Sequence, residues 1–342
     1  MNKKQYATFN KNTTAWFNEK LQEYCVQNPE HRRGIQSYIS KIQSLNRPQF
    51  VAGFQAKDST KDFTPYWKVP VLLESVMLKA YYANNILDSK NNIWNSTYNI
   101  ETRAFHTPKE KVNENIANEW YVDSYLNKLS LDILQDLNPE EALFVQKAYF
   151  TIGEKISQGL KIEREALSIN HSDLETISNN FEQNYTNRCI FYDKVYDYVP
   201  LVAFGLANKD YGVVERYDKN VLDQDKFSGN LQIINDLGDF CTGKNSFSDI
   251  RSGVVTLPTY ALQKSSVILE GLFSPQFTQF PRWQKEVRDL LKKEKIVHQI
   301  EEKTLQAHRV NVNFWKELGA NTSVIECAYG MLQNNKYFEE LR

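Results

Sequence analysis

Residues 231–262 read LQIINDLGDFCTGKNSFSDIRSGVVTLPTYAL, and this stretch decides the architecture. Its first half has helical apolar spacing and then displays Asn235, Asp236 and Asp239. Positions 235 and 239 lie one turn apart, so their side chains share a helix face. Lys244 follows within a turn or two, then Asp249 and Arg251, then a helix restart at Thr256-Leu257-Pro258. Oxygen-bearing side chains at i and i+4, followed by a lysine, suit a hard cation carrying a phosphate ester. The plainer alternative is an ordinary helix C-terminus with exposed acids and Gly243 as its cap.

A second stretch gives the first its meaning. A helix starting near Pro65 or Pro70 runs to Asp88, and on it Leu73, Met77, Tyr81, Asn84 and Asp88 fall along one face. An apolar stripe thus rises towards two oxygen-bearing side chains. Here too the plainer reading is a helix cap, which Asn91-Asn92 would support. Two such helices facing each other would enclose a deep apolar pocket with a polar mouth. Mg2+ takes octahedral oxygen ligands and commonly combines few protein carboxylates with a ligand's phosphates. The pattern therefore predicts a substrate with a diphosphate head and a long apolar tail. Mg2+ would neutralise the leaving diphosphate, and aromatic faces would stabilise the carbocation left behind.

Composition agrees with this class and excludes others. The chain has 342 residues, 41% hydrophobic, enough for a large core, and a net charge of −1, which leaves no electrostatic footprint for nucleic acid. Thirteen glycines and ten prolines are few for a β-sandwich or a glycine-rich nucleotide fold. No apolar run approaches a membrane span, and the N-terminus lacks an apolar leader segment. Cys25, Cys189, Cys241 and Cys327 are far apart, which reads as free thiols in a reducing cytoplasm. The histidines show no metal-ligand spacing, and no nucleophile-elbow, dinucleotide or P-loop motif occurs.

Periodicity along the rest of the chain predicts helices and no strand. Two helices span about 6–45, broken near Asn28-Pro29, followed by a long loop from Asn46 to Lys68. A further loop from Asn92 to Thr107 precedes helices over 111–137 and from 138 towards Leu167. An aromatic-rich segment over 173–207 must kink or break at Pro200. Helices over 256–272, 281–310 and 320–341 complete an all-α chain of about a dozen helices, read as one domain over 1–342 with its motif-bearing core at 66–272.

On these residues the chain resembles the trans-isoprenyl diphosphate synthases and the related class I terpene synthases. LLESVMLKAYYANNILD is similar to the family's first Asp-rich region and LQIINDLGD to the second. TGKNSFSDIRSGVVTLP is similar to its GK…SDI…G-x-x-TLP segment, the most specific match. Gly159 and Glu163 resemble a weaker pattern in which Leu160 replaces the usual glutamine, and Arg188 stands where a Lys-Thr pair is usual. The resemblance covers about Leu72 to Leu262 and implies an isoprenoid synthase-type helical bundle around a central apolar cavity, Mg2+ as cofactor and a homodimer.

The departures shape the expected function. Asn84 and Asn85 replace two aspartates and leave Asp88, while Asn235 replaces the first aspartate of the second motif. Asparagine can coordinate through its carbonyl oxygen but adds no charge. Basic residues that hold the second diphosphate in chain-elongating relatives are absent: Ile93 and Trp94 stand for an Arg pair, Lys68-Val69 for Gly-Lys-Arg, and Val254 for a lysine. Each loss of a cationic hydrogen bond to diphosphate should cost about 1.5–3 kcal/mol, which disfavours condensation with isopentenyl diphosphate.

The resemblance and its departures together imply ionisation of a single prenyl diphosphate (geranyl, farnesyl or geranylgeranyl), as in a terpene synthase. In that scheme Asp88, Asn235 and Asp239 hold Mg2+ with Asn84 a weaker ligand, and Asp236 orients them. Lys244 and Arg188 contact diphosphate, while Tyr81 and Met77 line the cavity. Two alternatives share the scaffold. One is a prenyltransferase acting on isopentenyl diphosphate or on a peptide or small-molecule acceptor. The other is an inactive regulatory homologue, which the Asn84-Asn85 pair motivates.

Overall fold

The computed structural model describes residues 3–25, 47–76, 79, 97–99, 104–106, 112–169, 172–222, 230–241, 247, 249–250, 253–265 and 281–322. The chain forms two compact units, Met1–Glu154 with Tyr196–Val214, and Lys155–Val195 with Glu215–Arg342.

In the first unit, α1 (Lys3–Cys25) buries Phe9, Thr13, Phe17, Leu21 and Tyr24, a spacing that places all five on one helix face. The next helix, α2 (47–54), lies where sequence patterning predicts loop. Pro48 reads as a breaker, but in a first helical turn its missing N–H is no loss. Arg47 is wholly buried there and gathers three helices. Its Nε and Nη2 donate to Glu74 at 2.8 and 3.0 Å, and its Nη1 donates to the Asn10 carbonyl, Asn10 Oδ1 and Thr14 Oγ1. Glu74 belongs to α3 (69–76), which also buries Val69, Val71, Leu72, Leu73 and Val76. The C-terminal part of the predicted helix towards Asp88 lies outside the described residues.

Strand β1 (Thr97–Asn99) pairs antiparallel with β2 (Ala104–His106), with Tyr98 opposite Phe105, in a segment read as loop from sequence. The alternation is only three residues deep in each arm, too short for a period-two signal. Helices α4 (Val112–Leu134) and α5 (Pro139–Ala166) follow as predicted. Asn138 caps α5, its Oδ1 accepting the N–H groups of Glu140 and Glu141 at 3.1 and 3.0 Å.

Of the expected kink or break at Pro200 there is no break: helix α6 (Leu174–Asn208) continues through it. A proline costs one backbone bond and needs room. Backbone atoms of Pro200 lie close to α2, for a Cβ on Gly53 would lie 2.2 Å from the Pro200 carbonyl oxygen.

In the second unit Asp173 caps α6 through Thr176, with N–H and hydroxyl contacts of 2.7 and 2.9 Å. Helix α7 (Val213–Tyr217) continues as a π-helical turn, Asp218–Leu222. After α8 (Asn230–Gly238) and α9 (Leu257–Ser265), the predicted single helix over 281–310 is two, α10 (Pro281–Lys293) and α11 (Ile296–Glu317). The break falls at Lys295, whose φ of 53° is left-handed. Phe181, Tyr185, Ile233, Leu237, Phe247 and Val255 belong to one buried cluster. An antiparallel bridge between Ser168 and Val254 ties the end of α5 to the chain leading into α9. No helix among the described residues is long and apolar enough to cross a membrane.

Candidate functional site

Helix α8 carries the second motif and is nine residues long. Ile233 and Leu237 are wholly buried, and at 100° per residue that apolar face decides where the polar side chains go. Asn235 is exposed, Asp236 is wholly buried, and Asp239 is 8% exposed. The Asp239 N–H donates to the Asn235 carbonyl at 3.1 Å, so the helical turn joining positions 235 and 239 is formed.

A buried carboxylate needs partners, and Asp236 has three. The Tyr185 hydroxyl donates to Oδ2 at 2.6 Å, Gln232 Nε2 donates to Oδ1 at 2.6 Å, and Arg188 Nη1 stands 3.4 Å from both oxygens. Burial raises the Asp236 carboxyl above its ordinary range, while Arg188, Tyr185 and Gln232 pull it back by favouring the ionised form. Burial and then the charge of Asp236 push the Tyr185 phenol well up, so it keeps its proton and donates.

Arg188, on α6, is 4% exposed. Its Nε and Nη2 bind Glu163 Oε2 of α5 at 2.6 and 2.5 Å. Burial opposes its charge, but Glu163 and then Asp236 outweigh that and hold the guanidinium protonated. The cation expected at a diphosphate is thus flanked by two carboxylates of its own unit.

Asp239 meets a residue to which sequence reading gave no role. Its Oδ2 accepts the backbone N–H of Asp249 at 3.2 Å, and its carbonyl accepts that of Phe247 at 2.6 Å. Among the described residues, Asp249 Oδ2 is buried without a hydrogen-bond partner. Burial, then the negative charges of Asp239 and Asp236, push the Asp249 carboxyl well above its usual range. Asp239 and Asp249 are neighbouring carboxylates, and their hard oxygens are of the kind a divalent cation takes. No group of three or more His, Cys, Asp or Glu side chains placed for a metal occurs among the described residues.

The structure therefore brings Asp236, Arg188, Asp239 and Asn235 into one region of the second unit. Asp88, Asn84, Tyr81, Met77 and Lys244 lie outside the described residues. Sequence reasoning gave no role to Gln232 or Asp249. Gln232 sits four residues before Asp236 on the same face, a signal that was available. Val254, which the resemblance set at a lysine position, is buried in the bridge with Ser168. Cys189 and Cys241 are free thiols.

No family model matches the sequence, and no curated protein matches it. Solved structures do match the fold over almost the whole chain. A geranylgeranyl pyrophosphate synthase from Lactobacillus brevis aligns with a TM-score of 0.64 at 14% identity, covering 96% of each chain. The octaprenyl pyrophosphate synthase of Helicobacter pylori aligns at 0.62 and 15% identity over 100% of each. The farnesyl diphosphate synthase of T. brucei, complexed with a bisphosphonate, aligns at 0.65 and 11% identity, covering 97% of this chain and 99% of its own. The fold is the all-α fold of the prenyl diphosphate synthases, as the motif pattern predicts.

Proposed function

We propose that this chain, which carries the prenyl diphosphate synthase fold, is a Mg2+-dependent prenyltransferase. The donor's C–O bond breaks, its electron pair leaves with diphosphate, an acceptor's nucleophile closes on the prenyl carbon, and the acceptor gives up a proton. The observation that carries this reading is the end-to-end fold match to proteins named for making prenyl diphosphates. It favours transfer over the cyclisation that the motif departures alone suggest.

Within this reading Asp239 and Asp249 would hold Mg2+, with Asn235 offering a neutral oxygen; Asp88 and Asn84 are the ligands that the motif resemblance assigns to the first motif. The ion supplies charge neutralisation of the departing diphosphate. Lys244 and Arg188 add positive charge near that leaving group, Arg188 from between Glu163 and Asp236. Asp236 points inward and steadies the helix instead of meeting substrate. Tyr81 and Met77 line the tail's channel. The homodimer implied by the resemblance belongs to the same reading, and sedimentation equilibrium would test it.

A second reading, cyclisation or quenching without an acceptor, is favoured by one specific feature. Positions that bind a second diphosphate in relatives lack basic residues, among them the buried Val254. Labelled geranyl, farnesyl and geranylgeranyl diphosphates with Mg2+ separate the two. Product that requires isopentenyl diphosphate or another acceptor supports transfer. Hydrocarbon or alcohol without acceptor supports the second reading, and unchanged substrate throughout leaves an inactive homologue.

A further inference from the structure

We infer that Tyr185 is a positioning residue for the second acidic motif: its hydrogen bond to Asp236 fixes the roll of α8, and with it the aim of Asn235 and Asp239. The inference deepens the reading above and rests on it for the identity of the ligand.

Asn235 and Asp236 stand on the nine-residue helix, and Asp239 follows in the turn that its N–H bond to the Asn235 carbonyl continues, so the roll of the helix sets all three. Ile233 and Leu237 seat the helix, but apolar contact is not directional and tolerates a small roll. Directional anchors are needed. Past the helix end the Asp239 carbonyl and Oδ2 accept the N–H groups of Phe247 and Asp249, and within the helix Asp236 takes bonds from Tyr185, Gln232 and Arg188. Gln232 bonds Asp236 at 2.6 Å but stands on α8 itself, so that bond does not tie the helix to another element. Arg188 reaches Asp236 only at 3.4 Å and is already held by Glu163. The short bond from outside α8 is the Tyr185 hydroxyl at 2.6 Å.

Tyr185 is itself immobile. It is wholly buried, its ring is stacked on Phe181 at 5.2 Å, and Phe181 is stacked on Tyr260 at 4.0 Å. The Arg188 guanidinium lies 5.9 Å from the Tyr185 ring centre. An anchor held on its ring by stacking can transmit position through its hydroxyl. The competing reading is that Tyr185 only satisfies a buried carboxylate, which would affect stability and nothing else.

Tyr185→Phe keeps the ring stack and removes the hydroxyl. Calorimetric titration of Mg2+ into protein saturated with inorganic pyrophosphate should show half-saturation raised about tenfold. On an Asp236→Asn background the same substitution should add nothing, because it acts through Asp236. Mg2+ binding that stays at the wild-type level in Tyr185→Phe, with only the melting temperature lowered, overturns the inference. So do additive effects in the double variant, or a wild-type protein that binds no Mg2+ with pyrophosphate. Binding that depends on Tyr185 in a protein that turns over no prenyl diphosphate defeats the transferase reading and leaves this inference standing. If Tyr185→Phe does not fold, Phe181→Leu loosens the ring while keeping the hydroxyl. A milder loss of the same binding is expected there, and unchanged binding overturns the inference.

Discussion

Arg188 closes on Glu163 with two nitrogens, Nε at 2.6 Å and Nη2 at 2.5 Å, while Nη1 stands 3.4 Å from Asp236. One buried cation thus neutralises acids from α5 and α8. Arg188→Met leaves those carboxylates uncompensated in a buried setting, which should destabilise the protein by about 3–5 kcal/mol in urea denaturation. Arg188→Lys keeps the charge but loses the two-nitrogen grip, so its loss should be smaller. Equal stability of Arg188→Met and wild type would show that the network contributes nothing.

Gly53→Ala tests the closeness of α2 and α6. The added Cβ would meet backbone atoms of Pro200, the carbonyl oxygen at 2.2 Å and Cα at 2.4 Å, and backbone cannot swing aside as a side chain can. Thermal melts should show a loss of about 1–3 kcal/mol or more. A neutral result would mean that the two helices are further apart.

Burial pushes the Glu74 carboxyl up to about 7 from 4.5, although Arg47 pulls the other way. Between those two pH values the unfolded chain has released the proton that the folded chain keeps. Stability from this group therefore falls as pH rises through that window, by about 3 kcal/mol in all, and is flat below it. Urea titrations between pH 4 and 8 should show the decline, and Glu74→Gln should remove it.

Metal ligation separates the two motifs. Asp239→Ala should abolish Mg2+-dependent diphosphate release, since it removes a charged oxygen donor beside Asp249. Asn84→Ala removes a neutral donor and should only weaken release. Wild-type turnover by Asp239→Ala would rule out the metal assignment.

Much of this was legible in sequence because it follows helical periodicity: α1, α4, α5, α6 and the inward face of α8 are patterned at 3.6 residues per turn. What was not legible depends on partners distant along the chain. Arg47 and Gly53 read as loop signals until Glu74 and Pro200 stand beside them. The break at Lys295 is a left-handed residue inside a charged run, with no glycine to announce it. Asp236 takes a bond from the Tyr185 hydroxyl, 51 positions earlier, which no local pattern announces. Asp249 was visible as a residue, but its bond to Asp239 arises from a turn.

The most direct test of prenyl transfer is diphosphate release from labelled geranylgeranyl and farnesyl diphosphates with Mg2+, measured with and without acceptor. The account predicts release that requires the acceptor, one labelled prenyl group joined to it per diphosphate freed, and loss of both in Asp239→Ala. Full release without acceptor, yielding hydrocarbon or alcohol, would contradict it.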